Sequence, residues 1–240
     1  MSIFNTKRMA ALSKKGIFKY LTYGIGEIIL VVIGILIAVN INNKNQERNA
    51  QKKLQSYLQV YQQDLEQDTL VVGQVLKYVD DRKEFFKLFL SDTVTAQTYQ
   101  KNLEGFGLVL SYSPFKLQKK GINLLENYVN DNETEQDTLI SRILTNYRAF
   151  DNLLVETNER IGDDIDNNLL YFKENEPWIA DLLMGKISNP DMLTYFLSDN
   201  YRARLAIHST LIYGNLEPML KGLQKYNKET LEMLNKRLEE

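Results

Sequence analysis

The chain has 240 residues, a net charge of −2, four prolines, twelve glycines and no cysteine. Disulfides, thiolate nucleophiles and cysteine-held zinc or iron–sulfur centres are excluded, and the scarcity of Pro and Gly favours long helices over turn-rich β architecture. The charge is uneven: residues 1–19 carry five Lys/Arg and no acid, residues 20–43 only the acid Glu27, residues 44–53 four bases and one acid, and residues 54–240 twenty bases against twenty-nine acids. A basic collar around an apolar stretch suits a lipid bilayer, whereas an acidic body repels phosphate, so nucleic acid is not an expected partner.

Residues 1–19 read as a basic tail on the cytoplasmic side, and 20–42 as a membrane-spanning helix. The 22 residues from Tyr20 to Ile41 would form a helix of roughly 33 Å, enough for a hydrocarbon core of about 30 Å. The strictly apolar run from Ile28 to Val39 is shorter, so the reading turns on Glu27. Ten of its twelve residues are Ile, Leu or Val, together worth roughly −3 to −6 kcal/mol on the insertion scale. An acid at the centre of the span costs on the order of 3 kcal/mol, and less toward an end, where Glu27 lies. Insertion is therefore expected to win. A core helix of a soluble fold would not be apolar on every side between such basic flanks. A cleaved signal peptide would need a small-x-small site, and Ala38-Val39-Asn40 is a poor one. Five bases before the span against four after it predict a cytoplasmic N-terminus and a periplasmic body.

Helical spacing places Glu27, Leu30, Gly34, Ala38 and Ile41 on one stripe. Gly34-x-x-x-Ala38 would let another helix approach closely, and an acid on that stripe would be sheltered at the contact. The residues Glu27, Leu30, Gly34 and Ala38 are the expected packing seam, for a second copy or another envelope protein. A proton-handling role for Glu27 is the sharper alternative, and a glutamate merely reaching for the headgroups the plainer one.

The string from Tyr23 to Ala38, YGIGEIILVVIGILIA, with Asn40-Ile41-Asn42-Asn43 after it, resembles the N-terminal signature of an uncharacterised family. Its members are single-span envelope proteins of gram-negative bacteria with a domain of unknown function. Leu117-Gln118-Lys119-Lys120-Gly121-Ile122-Asn123-Leu124-Leu125 loosely resembles an internal segment of that family, and at Lys44 the family's usual tryptophan is missing. The resemblance implies an envelope location and a mostly helical body, and brings no activity.

Residues 43–53 read as a polar linker and 54–240 as a helical domain. Leu54, Leu58, Tyr61, Leu65, Val72, Leu76, Val79, Phe86 and Leu90 recur at helical steps with a gap near Thr69. They predict either one helix continuous with the span or two broken near Asp68. Farther on, Ser91-Asp92-Thr93 reads as a helix start, Gly105 and Gly107 as punctuation, and Ser113-Pro114 as a new start. The last would open a helix over Phe115–Lys120, stopped by Gly121 in a left-handed conformation. A short helix from Ile122 to Val129 and the loop Asn130-Asp131-Asn132 would follow. The clearest long helix is Thr134–Glu174, with Leu139, Ile143, Tyr147, Phe150, Leu154, Ile161, Ile165, Leu169 and Phe172 as its stripe and Pro177 after its end. Ser188-Asn189-Pro190-Asp191 reads as a helix cap. The last helical region, with Leu205, Ile212, Leu216, Leu220, Leu223, Leu231 and Leu234 inward, is expected to bend near Gly214 or Pro218. Three long amphipathic elements predict an up-and-down bundle, so the expected class is all-α.

Chemistry is sparse. His208, the only histidine, falls beside the apolar stripe and is expected to be packed and hydrogen-bonded. Glu156, Glu159, Asp163, Asp164 and Asp166 read as a solvated helix face. Asp164-Ile165-Asp166-Asn167-Asn168 starts like a calcium loop but has Leu169 where the turn glycine belongs. Tyr57, Tyr61, Tyr147 and Tyr213 fall near core stripes, as core or as a binding face. No catalytic set, metal site or cofactor is expected. The expected role is a membrane-anchored helical protein that works by protein binding or self-association. The rivals are a subunit of a proton-coupled complex using Glu27 and a ligand-sensing module.

Overall fold

The computed structural model describes residues 6–131, 137–187 and 189–239. Residues 1–5 of the basic tail, Asn132 and Thr134 of the expected loop and helix start, and Ser188 of the expected cap lie outside them. Among the described residues there is no strand, and the fold is all-α. The helices are α1 (Thr6–Leu90), α2 (Ala96–Lys101), a 3-10 segment (Leu103–Leu110), α3 (Lys120–Asp131), α4 (Thr138–Asn175), α5 (Ile179–Leu183) and α6 (Pro190–Phe196). After them α7 (Asp199–Ser209), a π-helical segment (Thr210–Leu216) and α8 (Glu217–Glu239) follow without a break. The chain divides into two compact units, Met1–Gln55 and Ser56–Glu240.

The first unit holds the apolar stretch. It contains an 18-residue window of mean hydropathy 2.5 with none of it buried, long and apolar enough to cross a membrane. Every residue from Glu27 to Ile41 is exposed.

In the second unit α1 buries Leu58, Tyr61, Leu65, Asp68, Val72, Val75 and Val79, in steps of three and four, and then Phe86 and Phe89. The gap near Thr69 is thus filled by a carboxylate, and Val75 and Phe89 occupy the inward positions expected of Leu76 and Leu90. No break occurs at Asp68, because its carboxyl finds partners across the core and the Thr69 hydroxyl bonds back to the Leu65 carbonyl at 2.7 Å.

Pairings across the core fix the helix directions. Gln62 bonds Asn235 at 2.6 Å and Lys83 meets Glu217 at 3.1 Å, so α8 runs antiparallel to α1. Asp137 meets Arg237 at 3.1 Å and Asp164 meets His208 at 2.7 Å, so α4 is antiparallel to the α7–α8 run as well. The long helices α1 and α4 are consequently parallel, and the leg between them runs back the other way, so α1, the return leg, α4 and the α7–α8 run alternate in direction as expected of an up-and-down bundle. The chain returns between them through residues 111–119, which carry no helix, and then through α3. Arg148–Glu126 at 2.8 Å and Lys119–Asp151 at 2.9 Å dock this return leg on α4.

The expected helix over Phe115–Lys120 is absent, and Gly121 is no helix stop. It lies in the first turn of α3, where a Cβ would overlap the backbone of Tyr61. Phe115 and Leu117 are buried, so burial holds this stretch in a non-helical course despite Ser113-Pro114. The earlier start also differs: α2 is capped by Thr95, not Ser91-Asp92-Thr93, through a reciprocal box with Thr98. Gly105 sits within the 3-10 segment because the Phe89 ring occupies the space of any side chain there.

At the C-terminal side Asn189 caps α6 by accepting the Asp191 N–H, with Pro190 in the first turn. Where a bend was expected, near Gly214 or Pro218, the helix carries the π-helical segment. Pro218 has no N–H for the Gly214 carbonyl, and Glu217 instead donates to Ile212, five residues back. One end of the bundle is closed by an aromatic cluster that includes Phe89, Tyr99, Phe106, Phe172, Trp178 and Phe196. Its hydroxyls are satisfied inside: Tyr99 donates to the Phe196 carbonyl at 3.1 Å and Tyr201 to that of Gly105 at 2.8 Å.

Candidate functional site

The seam residues Glu27, Leu30, Gly34 and Ala38 are all exposed on α1. At about 100° per residue they fall within one narrow arc of the helix. A Cβ built on Gly34 would meet nothing, so this face offers close approach to a backbone. Tyr23, Gly26, Glu27 and Leu30 line a shallow groove on the same helix.

The tyrosines singled out from the sequence divide. Tyr61 and Tyr147 are buried, while Tyr57 and Tyr213 are half-buried. Tyr147 donates to the Gln118 carbonyl at 3.0 Å and Tyr213 to that of Val79 at 3.0 Å. Most of this set therefore serves packing between elements.

Two polar arrangements inside the second unit were not visible in the sequence. In the first, two aspartates of α1 hold the return leg. Asp64 accepts the Gly121 N–H at 2.5 Å, satisfying a free donor at the start of α3. Asp68, only 3% exposed, accepts the Gln118 N–H at 3.1 and 3.3 Å on its two oxygens. Burial pushes the Asp68 carboxyl up from its ordinary 3.8 to about 7, against the opposing pull of the Gln118 N–H and with a further rise from Asp64. These aspartates thus fix in place the very segment, Leu117–Leu125, whose pattern stood out in the sequence. Glu217 behaves oppositely: hydrogen bonds from Lys221 and Lys83 hold its carboxyl below the usual range.

The second arrangement corrects the reading of Asp164. Glu156, Glu159, Asp163 and Asp166 are exposed, as a solvated face requires, but Asp164 turns inward. Its Oδ2 lies 2.7 Å from His208 Nδ1 and 3.3 Å from Asn168 Nδ2. Arg204 Nη1 donates to Asn168 Oδ1 at 2.9 Å, while its guanidinium lies over the Tyr171 ring at 3.8 Å. His208 is fully buried, as its place beside the stripe suggested, and its ring stacks on Phe86 at a centroid distance of 6.0 Å. Its other nitrogen, Nε2, is buried without a hydrogen-bond partner. Beside it is a cavity of about 10 Å³, reached between α1, residues 111–113 and the π-helical segment. Among the described residues no three His, Asp or Glu side chains gather to hold a metal ion.

Comparison with known proteins adds one finding: no curated protein and no solved structure matches the chain, but the model of a family of unknown function, DUF6090, does so at residues 27–104. That match begins at Glu27 and ends before Leu117–Leu125, so the chain carries a domain similar to this family of unknown function from the apolar stretch through α1 to the 3-10 segment.

Proposed function

We propose that the protein is a single-span membrane protein whose α1 enters the bilayer over residues 20–42, with the acidic second unit on the periplasmic side of a bacterial inner membrane. The observation that carries this reading is the window of mean hydropathy 2.5 with no buried residue. A core helix that apolar would be covered by its own chain, and lipid is the medium that covers this one. The five bases ahead of the span favour the cytoplasmic N-terminus. The protein acts without catalysis, by binding along the stripe Glu27, Leu30, Gly34 and Ala38, and the partner that fits it is a second copy of the same helix. The exposed glycine supplies the close approach, and the pairing shelters both carboxyls from lipid.

The absence of native cysteine makes the test clean. Single replacements Gly34→Cys and Leu36→Cys stand on opposite sides of the helix, about 200° apart. Oxidation in native membranes is expected to yield a disulfide-linked dimer from Gly34→Cys and little from Leu36→Cys. Equal yields, or none at either position, would remove self-association along this face.

A further inference from the structure

We propose that the cleft above His208 is a binding site for a small aromatic hydroxy acid, whose hydroxyl donates to His208 Nε2 and whose carboxylate meets Arg82. The base of the site is built to accept. An ionised carboxylate offers only lone pairs, so the short contact between Asp164 Oδ2 and His208 Nδ1, 2.7 Å, keeps a proton on Nδ1. In the neutral ring Nε2 then carries a lone pair; that nitrogen is buried and unpartnered, and His208 lines the cavity. A hydroxyl, of a water in the closed cavity or of a ligand in the opened one, satisfies it.

The walls are Phe86, Tyr213, Val79 and Ile212, which suit an apolar, flat body. At the rim stands Arg82. Its guanidinium lies over the Tyr78 ring at 4.6 Å, and among the described residues no carboxylate is within ion-pair reach of it. An unpaired, half-buried guanidinium beside an apolar cleft favours a carboxylate.

Closed, the cavity of about 10 Å³ has room for one water. The ligand therefore enters by displacing the cover. That cover is Ser111–Ser113, part of the helix-free return leg, which carries two long hydrogen bonds of its own and is anchored two residues on, where Asn158 Nδ2 donates to the Phe115 carbonyl at 2.8 Å. Tyr112 donates to the Asn158 carbonyl at 3.3 Å and Ser111 to that of Gly107 at 3.4 Å. The π-helical segment that forms another wall is a kind of irregularity frequent at functional sites.

His208 is the only histidine in the chain, so its ring nitrogens give an unambiguous signal in nitrogen NMR of the isotope-labelled full-length protein in detergent micelles. Para-hydroxyphenylacetate is expected to shift the Nε2 resonance saturably. Phenylacetate, lacking the hydroxyl, is expected to bind at least about tenfold more weakly. Arg82→Gln is expected to weaken the hydroxy acid while leaving the neutral analogue tyrosol unchanged. An Nε2 signal indifferent to all three probes up to about 10 mM would mean that the cavity takes water only, and would overturn the proposal. Equal loss of acid and alcohol on Arg82→Gln would overturn the assigned carboxylate contact.

Discussion

Gly121→Val is expected to lower the stability of the second unit by about 3 kcal/mol, the upper part of the range for forcing extra atoms into a packed interior. A Cβ at this position overlaps the backbone nitrogen and Cα of Tyr61. Backbone cannot rotate aside as a flexible side chain can, so α3 must move off α1. That movement also breaks the Asp64 bond to the Gly121 N–H and leaves the first turn of α3 short of an acceptor. At about 2–4 °C per kcal/mol for a domain of this size, the melting temperature should fall by roughly 6–12 °C. Thermal denaturation followed by far-ultraviolet circular dichroism on the full chain measures it. Melting within about 2 °C of the parent protein would show that the two helices are not in the close contact described.

Asp68→Asn is expected to stabilise the second unit above neutral pH, the reverse of what loss of a buried charged partner usually does. The carboxyl is held at about 7 in the fold, well above its unfolded value. A group with a raised folded value contributes its full stability below the unfolded value and loses it as pH rises through the folded one. Stability from Asp68 therefore declines between about pH 4 and pH 7, by on the order of 3 kcal/mol, since each tenfold change in the ionisation equilibrium is worth about 1.4 kcal/mol and relaxation of the core recovers part of the total. Asparagine keeps an acceptor for the Gln118 N–H and never ionises. At pH 8 the variant should be more stable than the parent by about 2–3 kcal/mol, and its stability should be flatter between pH 5 and 8. Glu217 works in the other direction and in a lower window: its depressed value means a contribution present above the ordinary glutamate range and lost as acid is added. Urea unfolding at a series of pH values separates the two. Parallel pH profiles for parent and Asp68→Asn would show that the carboxyl is not held protonated by burial.

The parts of this fold that were legible in the sequence are those whose signal repeats. The α1, α4 and α8 stripes recur over many turns, and Asn189-Pro190 carries its cap in adjacent residues. What was misread depends on partners far away in the chain. Ser113-Pro114 has the local form of a helix start, but Phe115 and Leu117 gain more from the core, and Asp68 and Asp64 wait 50 and 57 residues earlier to receive Gln118 and Gly121. The parallel course of α1 and α4 was hidden for the same reason, since a helix-free return leg leaves no periodic trace. Asp68 itself left a faint one. It falls on the α1 stripe where an apolar residue was due, and the irregularity looked like a break.

Asp164 was misassigned because its acidic neighbours are solvated. The usable clue was spacing: it lies three residues after Ile161 and four before Asn168, both buried. Its partner His208 is 44 residues away, beyond any local pattern. The seam Glu27, Leu30, Gly34 and Ala38 was read from the same helical spacing that the helix displays, and its role rests on what covers it.

That role depends first on lipid, and washing native vesicles with alkaline carbonate tests it most directly. The full-length chain should stay with the membrane pellet, and Ile33→Lys with Leu36→Lys should release it, because two cations near mid-span cost about as much as the apolar run supplies. Recovery of the unaltered chain in the wash would contradict a helix seated in the bilayer.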